Sequence, residues 1–490
     1  VGSPTATSEV ESDVRPLIRS RRSLALWIAV GLIGSIGMVV TGSQVGSITF
    51  PGPSHWWFSI PDARSPILSI AFYSSVGILI VGWLGIGRLA FQVQLTPKRA
   101  WLVLGAWGSP LYLGPPLFSR DIYSYIGQGL IAKRGLNPYT VGPNVLGHGP
   151  LLTSIASVWR TTSSPYGPLF VSSTRLVALV SGHSLISQVL AFRALELIGV
   201  ALIMVSLPRL ARHLGTEPGI ALWLGALSPL ALFGFISSGH NDALMVGLLV
   251  AGVTLAVDGQ MLWGLVLCSL AATIKLPAAA AVAFLVVDQF RSSAPHRRWK
   301  LAGLSVALSL VVFAGVTVLC GYGWTWLGPK ALHIPTELHV LATPAVSLGV
   351  LFYRLLNLVG LHVAKSVTVA VTQTICGLIA LAGCIWLLLN VHKYEVVRLL
   401  GLALLLVVVG SPTVWPWYLL WGIVLLAATT LQRSKVLAVV AALSMLAAAG
   451  PSGNPLMHGD WYIVVSLATI AGCAWLIQGQ RWRSLVGNVA

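Results

Sequence analysis

The chain has 490 residues; 56% are apolar, only 9% are charged, and 30 Lys and Arg against 13 Asp and Glu give a formal net charge of +17. A soluble domain carries about 25% charged residues, so this composition excludes a soluble globular protein and fits an all-α polytopic membrane protein whose apolar helices satisfy their own backbone in lipid. The positive balance is not a nucleic-acid footprint, because the basic residues are scattered through short loops and do not line one face.

Residues 1–23 are a polar tail with Arg15, Arg19, Arg21 and Arg22, which places the N-terminus in the cytoplasm. The apolar run that follows is long enough to span, so no cleavable signal is expected. Segment 24–46 goes out, residues 47–66 form an outer loop with His55, Trp56, Trp57 and Asp62, and segment 67–92 returns to Lys98 and Arg99. Segment 100–118 goes out again and delivers Asp121 to the outer face. Residues 119–183 are too polar and too rich in Pro and Gly to span, and read as interfacial helices and loops in a long outer loop. Within it, the apolar stretch from Pro168 to Gly182 is shorter than the roughly 20 residues a span needs, and Arg175 interrupts it.

Segment 184–208 comes in to Arg209 and Arg212, 218–236 goes out, and 242–258 comes in. Residues 260–290 rise and return as two short helices broken at Ile274 to Pro277, and the return meets Arg291, Arg297, Arg298 and Lys300. Segment 301–321 goes out; most of 322–363, with Trp324, Trp326, Glu337 and an amphipathic patch around Arg354, is placed outside. Segment 364–390 comes in to His392 and Lys393, and helices 397–411, 416–431, 435–450 and 462–478 follow, with Arg481 and Arg483 after the last. This path makes about 14 crossings by the positive-inside rule and leaves both termini cytoplasmic. The cysteines (Cys268, Cys320, Cys376, Cys384 and Cys473) all sit in apolar segments without metal spacing, so they read as small core residues with no disulfide framework.

Acids are scarce, and Asp121 stands out among them. It lies in Arg-Asp-Ile-Tyr-Ser-Tyr (Arg120 to Tyr125) at the water edge of the membrane, flanked by an arginine and two tyrosines. Such a carboxylate is a candidate general base; the plainer reading is a helix N-cap. Arg193 and Glu196 are three apart on one helix, so they can pair, as a functional site or as a self-neutralised structural device. Lys275 has no acid near it in sequence and sits at a proline-broken helix, which suits an anionic group such as a phosphate; the alternative is a lysine snorkelling to the interface. His240 and Asn241 offer hydrogen bonds to sugar hydroxyls or phosphate oxygens, while Asp242 reads as the cap of helix 242–258. His-Asn-Asp lacks helical ligand spacing and has no second histidine or cysteine nearby, so no metal site is expected there. Pro-Tyr-Gly-Pro (Pro165 to Pro168) is a turn whose Tyr166 can line a site. Trp415, Trp417 and Tyr418 sit at an outer helix end, as interface anchors or as platforms for sugar faces.

Arg-Asp-Ile-Tyr-Ser-Tyr, Gly-Leu-Asn-Pro-Tyr (Gly135 to Tyr139), Pro-Tyr-Gly-Pro-Leu, Gly-His-Asn-Asp-Ala-Leu-Met-Val-Gly (Gly239 to Gly247) and Ile-Lys-Leu-Pro (Ile274 to Pro277) occur in this order. With them the chain resembles the polyprenol-phosphate-mannose-dependent α-1,6-mannosyltransferases of actinobacteria, which extend the mannan backbone of lipomannan and lipoarabinomannan. The resemblance covers nearly the whole chain. It implies the GT-C membrane glycosyltransferase fold in the plasma membrane, with the active site on the outer, periplasmic side. Residues 24–99 would be an added helical pair, 100–480 the transmembrane core with outer loop 119–183, and 481–490 a cytoplasmic tail.

The resemblance also implies roles. An acid in the first outer loop of the core serves these enzymes as general base, which here is Asp121. Many of them place two acids close together at this point, whereas here Arg120 precedes a single Asp. That departure weakens the case for a divalent metal, and no cofactor is expected. The donor would be polyprenyl phosphomannose and the acceptor a lipid-anchored mannan or phosphatidylinositol mannoside. Lys275 and His240 would meet the donor phosphate; Tyr123, Tyr125, Tyr166, Asn241, Trp415, Trp417 and Tyr418 would hold sugars. Two rivals stay open: the same fold with another polyprenyl-phosphate sugar, and a lipid-linked sugar transporter or flippase, against which stand the lack of an internal repeat and the long outer loop holding the key acid.

Overall fold

The computed structural model of the chain describes residues 7–42, 66–328, 343–393 and 395–430, and every regular element in them is helical. The expected helices 435–450 and 462–478, the loop residues His55, Trp56, Trp57 and Asp62, and the acids Glu337 and Asp460 lie outside the described residues.

Helices α1 (Thr7–Gly42) and α2 (Pro66–Phe91) pack against each other, and α1 also meets α3 (Pro97–Leu113). Tryptophans tie this pair to the rest of the molecule. The Trp107 indole donates to the Ile28 carbonyl at 3.0 Å. Trp83 and Trp223 stack at 4.8 Å, and each indole N–H donates to the other's carbonyl, at 3.0 and 2.8 Å. An indole N–H at membrane depth has no water to bond, so these reciprocal bonds leave neither donor stranded.

The outer-loop stretch folds as short pieces: α4 (Asp121–Lys133), a 3-10 turn (Pro143–Leu146), α5 (Pro150–Ser154), α6 (Ser157–Arg160) and α7 (Pro168–Val180). The 13 residues of α7 are too few to span, as the sequence implies; the helix buries Phe170, Val171, Thr174 and Val177 and exposes Leu176, Leu179 and Val180. Next come α8 (Leu185–His213), α9 (Pro218–Gly225), the short α10 (Pro229–Ala231) running into a π-helical turn (Leu232–Ser237), and α11 (Asp242–Val257). Helices α8 and α11 cross backbone to backbone: a Cβ on Gly199 would stand 2.1 Å from the Ala243 carbonyl oxygen, and one on Gly247 would stand 2.4 Å from the Gly199 oxygen. Small residues at such a crossing let two membrane helices approach closely. The chain then breaks between α12 (Met261–Ala272) and α13 (Ala279–Ser292), as expected at Ile274 to Pro277.

The remaining helices are α14 (Pro295–Cys320), α15 (Pro344–Leu358), α16 (Lys365–Leu389), α17 (Val396–Gly410) and α18 (Leu420–Ala427), the last entered through a 3-10 turn at Pro416–Leu419. Helix α15, which covers the patch around Arg354, is a shorter apolar helix packed on α16. Among the described residues, five helices are long and apolar enough to cross a membrane (22–42, 67–91, 185–213, 295–320 and 365–389), or six if the bent pair 218–225 and 229–237 is one span. The other apolar helices are shorter than the length of a single straight crossing, so length alone supports a polytopic membrane protein without reaching the expected fourteen crossings.

Candidate active site

Three walls meet at Asp121. The first is the turn between α3 and α4. Phe118 adopts a left-handed backbone (φ 67°), with its ring against Phe72 and stacked on Phe233 at 4.8 Å. A non-glycine residue there is strained, and the surrounding structure must hold it. The Ser238 hydroxyl contributes by donating to the Leu117 carbonyl at 2.7 Å. After this turn α4 starts at Asp121, whose backbone N–H bonds the Ser119 hydroxyl at 3.1 Å. The carboxylate does not cap the helix. One oxygen accepts from the Trp159 indole on α6 at 3.1 Å, and the other faces His240 Nδ1 at 3.6 Å.

The second wall is the turn between the π-helical segment and α11. Gly239 needs its positive φ of 64°, and a Cβ there would stand 2.8 Å from Ile122 Cδ1. Arg193 holds this turn against the first wall by donating to the carbonyls of Tyr112, Gly114 and Ser237. Glu196 accepts from the Leu244 N–H at 3.0 Å, at the start of α11. The expected Arg193–Glu196 pair is therefore not how these charges are satisfied. Each goes to backbone groups left open where a neighbouring helix begins or ends, and at membrane depth those groups have no water to serve them.

His240 and Asn241 are fully buried. The His240 ring stacks on Trp417 at 3.8 Å, and the Tyr125 hydroxyl lies 3.4 Å from His240 Nδ1 and 3.5 Å from Asn241 Oδ1. Burial, reinforced by nearby Lys275, holds the His240 pKa well below the usual histidine range, so the ring is neutral and its approach to Asp121 is not an ion pair. His240 Nε2 and Asn241 Nδ2 are buried without a hydrogen-bond partner among the described residues. Unspent polar atoms in a pocket are what a bound ligand would satisfy.

The third wall is the break between α12 and α13. The chain leading into α7 docks there, with Gly167 N–H on the Ile274 carbonyl at 2.9 Å and Leu169 N–H on the Thr273 carbonyl at 3.0 Å. Lys275 is neither lone nor snorkelling. Its ammonium donates to both oxygens of Asp242, at 2.9 and 3.2 Å, and sits 3.9 Å from the Tyr418 ring centre, with Tyr166 and Trp421 farther out. Sequence separation hid the pair, because the residues are 33 apart and meet only when α11 packs against the broken helix. Asp242, read as a cap, instead takes Lys275 and the Trp421 indole.

Accessibility separates the two acids. The Asp121 side chain keeps 13% of its surface open, against 1% for Asp242. An incoming hydroxyl can reach the first and not the second. Burial raises the Asp121 pKa to about 6, and Lys275 and the Trp159 bond partly offset that rise. Near neutrality the group is thus ionised and still basic enough to accept a proton.

The structure brings together Asp121, Tyr125, Tyr166, His240, Asn241, Lys275, Trp417 and Tyr418. Trp415 stands one ring farther out, stacked on Trp417 at 5.1 Å. Tyr123 is buried beside Arg193 and Arg120, on the opposite face of α4 from Tyr125. It therefore does not join the cluster of rings around Tyr125. Two residues were not foreseen. Trp421 follows Trp417 at i+4, a spacing that shares a face. Trp159 carries no local signal in the outer loop. Among the described residues, no group of three or more His, Cys, Asp or Glu side chains stands ready for a metal.

Comparison with known proteins follows the same lines. Residues 28–291 match the family model described as alpha-(1->6)-mannopyranosyltransferase, N-terminal domain, and residues 345–478 match that of the MptB C-terminal domain. Alpha-(1->6)-mannopyranosyltransferase A of Mycobacterium tuberculosis is 32% identical over 435 residues, 84% of this chain and 80% of the relative. The enzyme of the same name from Corynebacterium glutamicum is 30% identical, over 70% of this chain and 74% of its own. Alpha-(1->6)-mannopyranosyltransferase B of that organism is 28% identical, over 85% and 73% respectively.

Proposed function

The chain belongs to the alpha-(1->6)-mannopyranosyltransferase family and is a glycosyltransferase; from that premise we propose that it moves mannose from polyprenyl phosphomannose to an α-1,6-linked mannan acceptor of lipomannan type at the outer face of the plasma membrane. The observation that carries this reading is the state of Asp121: one accessible edge, a pKa near 6, and no ion pair with a lysine or arginine among the described residues. The acceptor 6-hydroxyl attacks C1 of the donor mannose and passes its proton to Asp121, while the bond from C1 to the phosphate oxygen breaks. One displacement turns a β-linked donor into an α-linked product, and polyprenyl phosphate leaves.

Lys275, fixed by Asp242 and the Tyr418 ring, meets the donor phosphate, and His240 and Asn241 offer it uncharged hydrogen bonds. The released phosphomonoester carries more charge than the donor diester, so a fixed cation favours product formation selectively. Tyr125, Tyr166, Trp417 and Tyr418 supply flat surfaces for sugars, and Trp415 extends the platform outward. No divalent metal is assigned a role, because Asp242 is already held by Lys275 and Trp421.

The test is transfer by the purified protein from polyprenyl phosphomannose to a short α-1,6-mannoside, with and without EDTA, alongside the arabinose and glucose phospholipids. Mannose transfer that survives chelation is the expected result. Preference for another sugar would change the donor. A sharp loss in EDTA, restored by magnesium or manganese, would restore a metal role. Lipid movement across vesicles without transfer would replace the enzyme with a flippase.

A further inference from the structure

The cation next to the base is already neutralised. Asp121, Asp242 and Lys275 together bring one positive and two negative charges to the pocket, His240 is neutral, and Glu196 adds another buried carboxyl behind α11. A lipid phosphate entering such a site meets net negative charge unless a further cation faces it, and in a low-dielectric pocket that repulsion is strong. The hydrogen bond from Trp159 to Asp121, at 3.1 Å, ties together two segments that each carry an arginine next to the bonded residue, Arg120 before Asp121 and Arg160 after Trp159.

Both arginines are half-buried, and they lie within electrostatic range of each other. Neither forms a salt bridge with an acid among the described residues. The carboxylate next to Arg120 in sequence, Asp121, is turned to Trp159 and His240. Arg160 spends part of its fork on the carbonyls of Ile155 and Thr153, each at 3.0 Å, which fixes its position. Arg120 Nε is buried with no hydrogen-bond partner among the described residues. Two like-charged guanidiniums held close, one with an unspent buried donor, cost free energy in the empty protein; an anion between them removes that cost.

We propose that Arg120 and Arg160 form a binding site for a lipid-borne phosphate ester beside the pocket. The inference rests on the proposed reaction, in which both substrates carry such a group: the donor phosphodiester and the glycerophosphate of a lipid-anchored acceptor. Arg120 is the principal ligand, because its side chain is the less committed, and Arg160 supports it from a fixed position.

The experiment uses the full-length protein in nanodiscs with Arg120→Gln and Arg120→Lys. Direct binding of polyprenyl phosphate and of a phosphatidylinositol-anchored mannoside is measured first, so that the site is tested even if the proposed transfer reaction fails. Steady-state kinetics then vary the donor and two acceptors separately, a phosphate-free α-1,6-mannoside and its phosphatidylinositol-anchored counterpart. Arg120→Gln is expected to weaken one of these phosphate-bearing ligands by roughly ten- to a hundredfold, the scale of a lost charge-assisted bond, with the apparent KM for the phosphate-free acceptor unchanged and Arg120→Lys recovering part of the loss. A donor-only effect assigns the site to the donor; an effect only on the anchored acceptor assigns it to the acceptor. Unchanged binding of both lipids, or an equal rise in the apparent KM for the phosphate-free mannoside, overturns the proposal. Thermal unfolding of both variants shows whether a loss reflects misfolding; if Arg120→Gln is unfolded, weakened binding of either lipid by Arg120→Lys supports the site, and parent affinity for both overturns it.

Discussion

Asp121 combines two properties that pull against each other, burial and reach. Burial raises its pKa to about 6, and the bond from Trp159 limits the rise. As a base it must be ionised, so activity should climb as pH increases through about 6. Stability runs the other way. The folded protein holds this proton to higher pH than the unfolded chain does, so the contribution is present at acid pH and is lost as pH rises through the folded value. Trp159→Phe keeps the ring and removes the donor. The acid limb of the pH–rate profile should then move up by about one unit, as expected for a bond to a charged acceptor. An unmoved limb with a lower plateau would make Trp159 a packing residue only. Asp121 was legible in the sequence because acids are rare there and this one sits at a membrane edge; Trp159 was not, since only the folded loop aims its indole at the carboxylate.

Helix ends and breaks, more than helix faces, build the pocket. The turn after the π-helical segment delivers His240 and Asn241, the start of α11 delivers Asp242, and the gap between α12 and α13 delivers Lys275. Proline and glycine marked these breaks in the sequence, so their places were readable. The pairings across them were not, because Lys275 with Asp242 and Arg193 with three distant carbonyls depend on how helices cross. The Lys275–Asp242 pair makes a double-variant experiment informative. Lys275→Met strands a buried carboxylate and should cost about 3–5 kcal/mol of stability. Adding Asp242→Asn removes the stranded charge and should recover most of that loss in thermal unfolding. Transfer should stay impaired in the double variant, because the cation for the phosphate is still missing. Recovery of parent activity would make the pair structural.

At the scale of the whole molecule, composition and basic-residue placement identified a polytopic helical membrane protein, and the helices bear this out. The number of crossings did not follow as readily, because broken and short helices pack into one interior without each having the length of a span. Sidedness is testable directly. With the native cysteines replaced, a cysteine at exposed Val145 in the outer-loop region should react with an impermeant maleimide in intact cells, and one at His213 should react only after lysis. The opposite pattern would turn the pocket to the cytoplasm. Everything proposed for the pocket turns on Asp121 as the base of an inverting mannosyl transfer. The direct measurement is single-turnover transfer from polyprenyl phosphomannose to an α-1,6-mannoside by the parent and by Asp121→Asn, with the product anomer read by NMR. An α-linked product from the parent and a loss of about 10²–10⁴-fold in rate for the folded variant are expected; near-parent turnover in Asp121→Asn, or a β-linked product, would contradict an inverting transfer with Asp121 as its base.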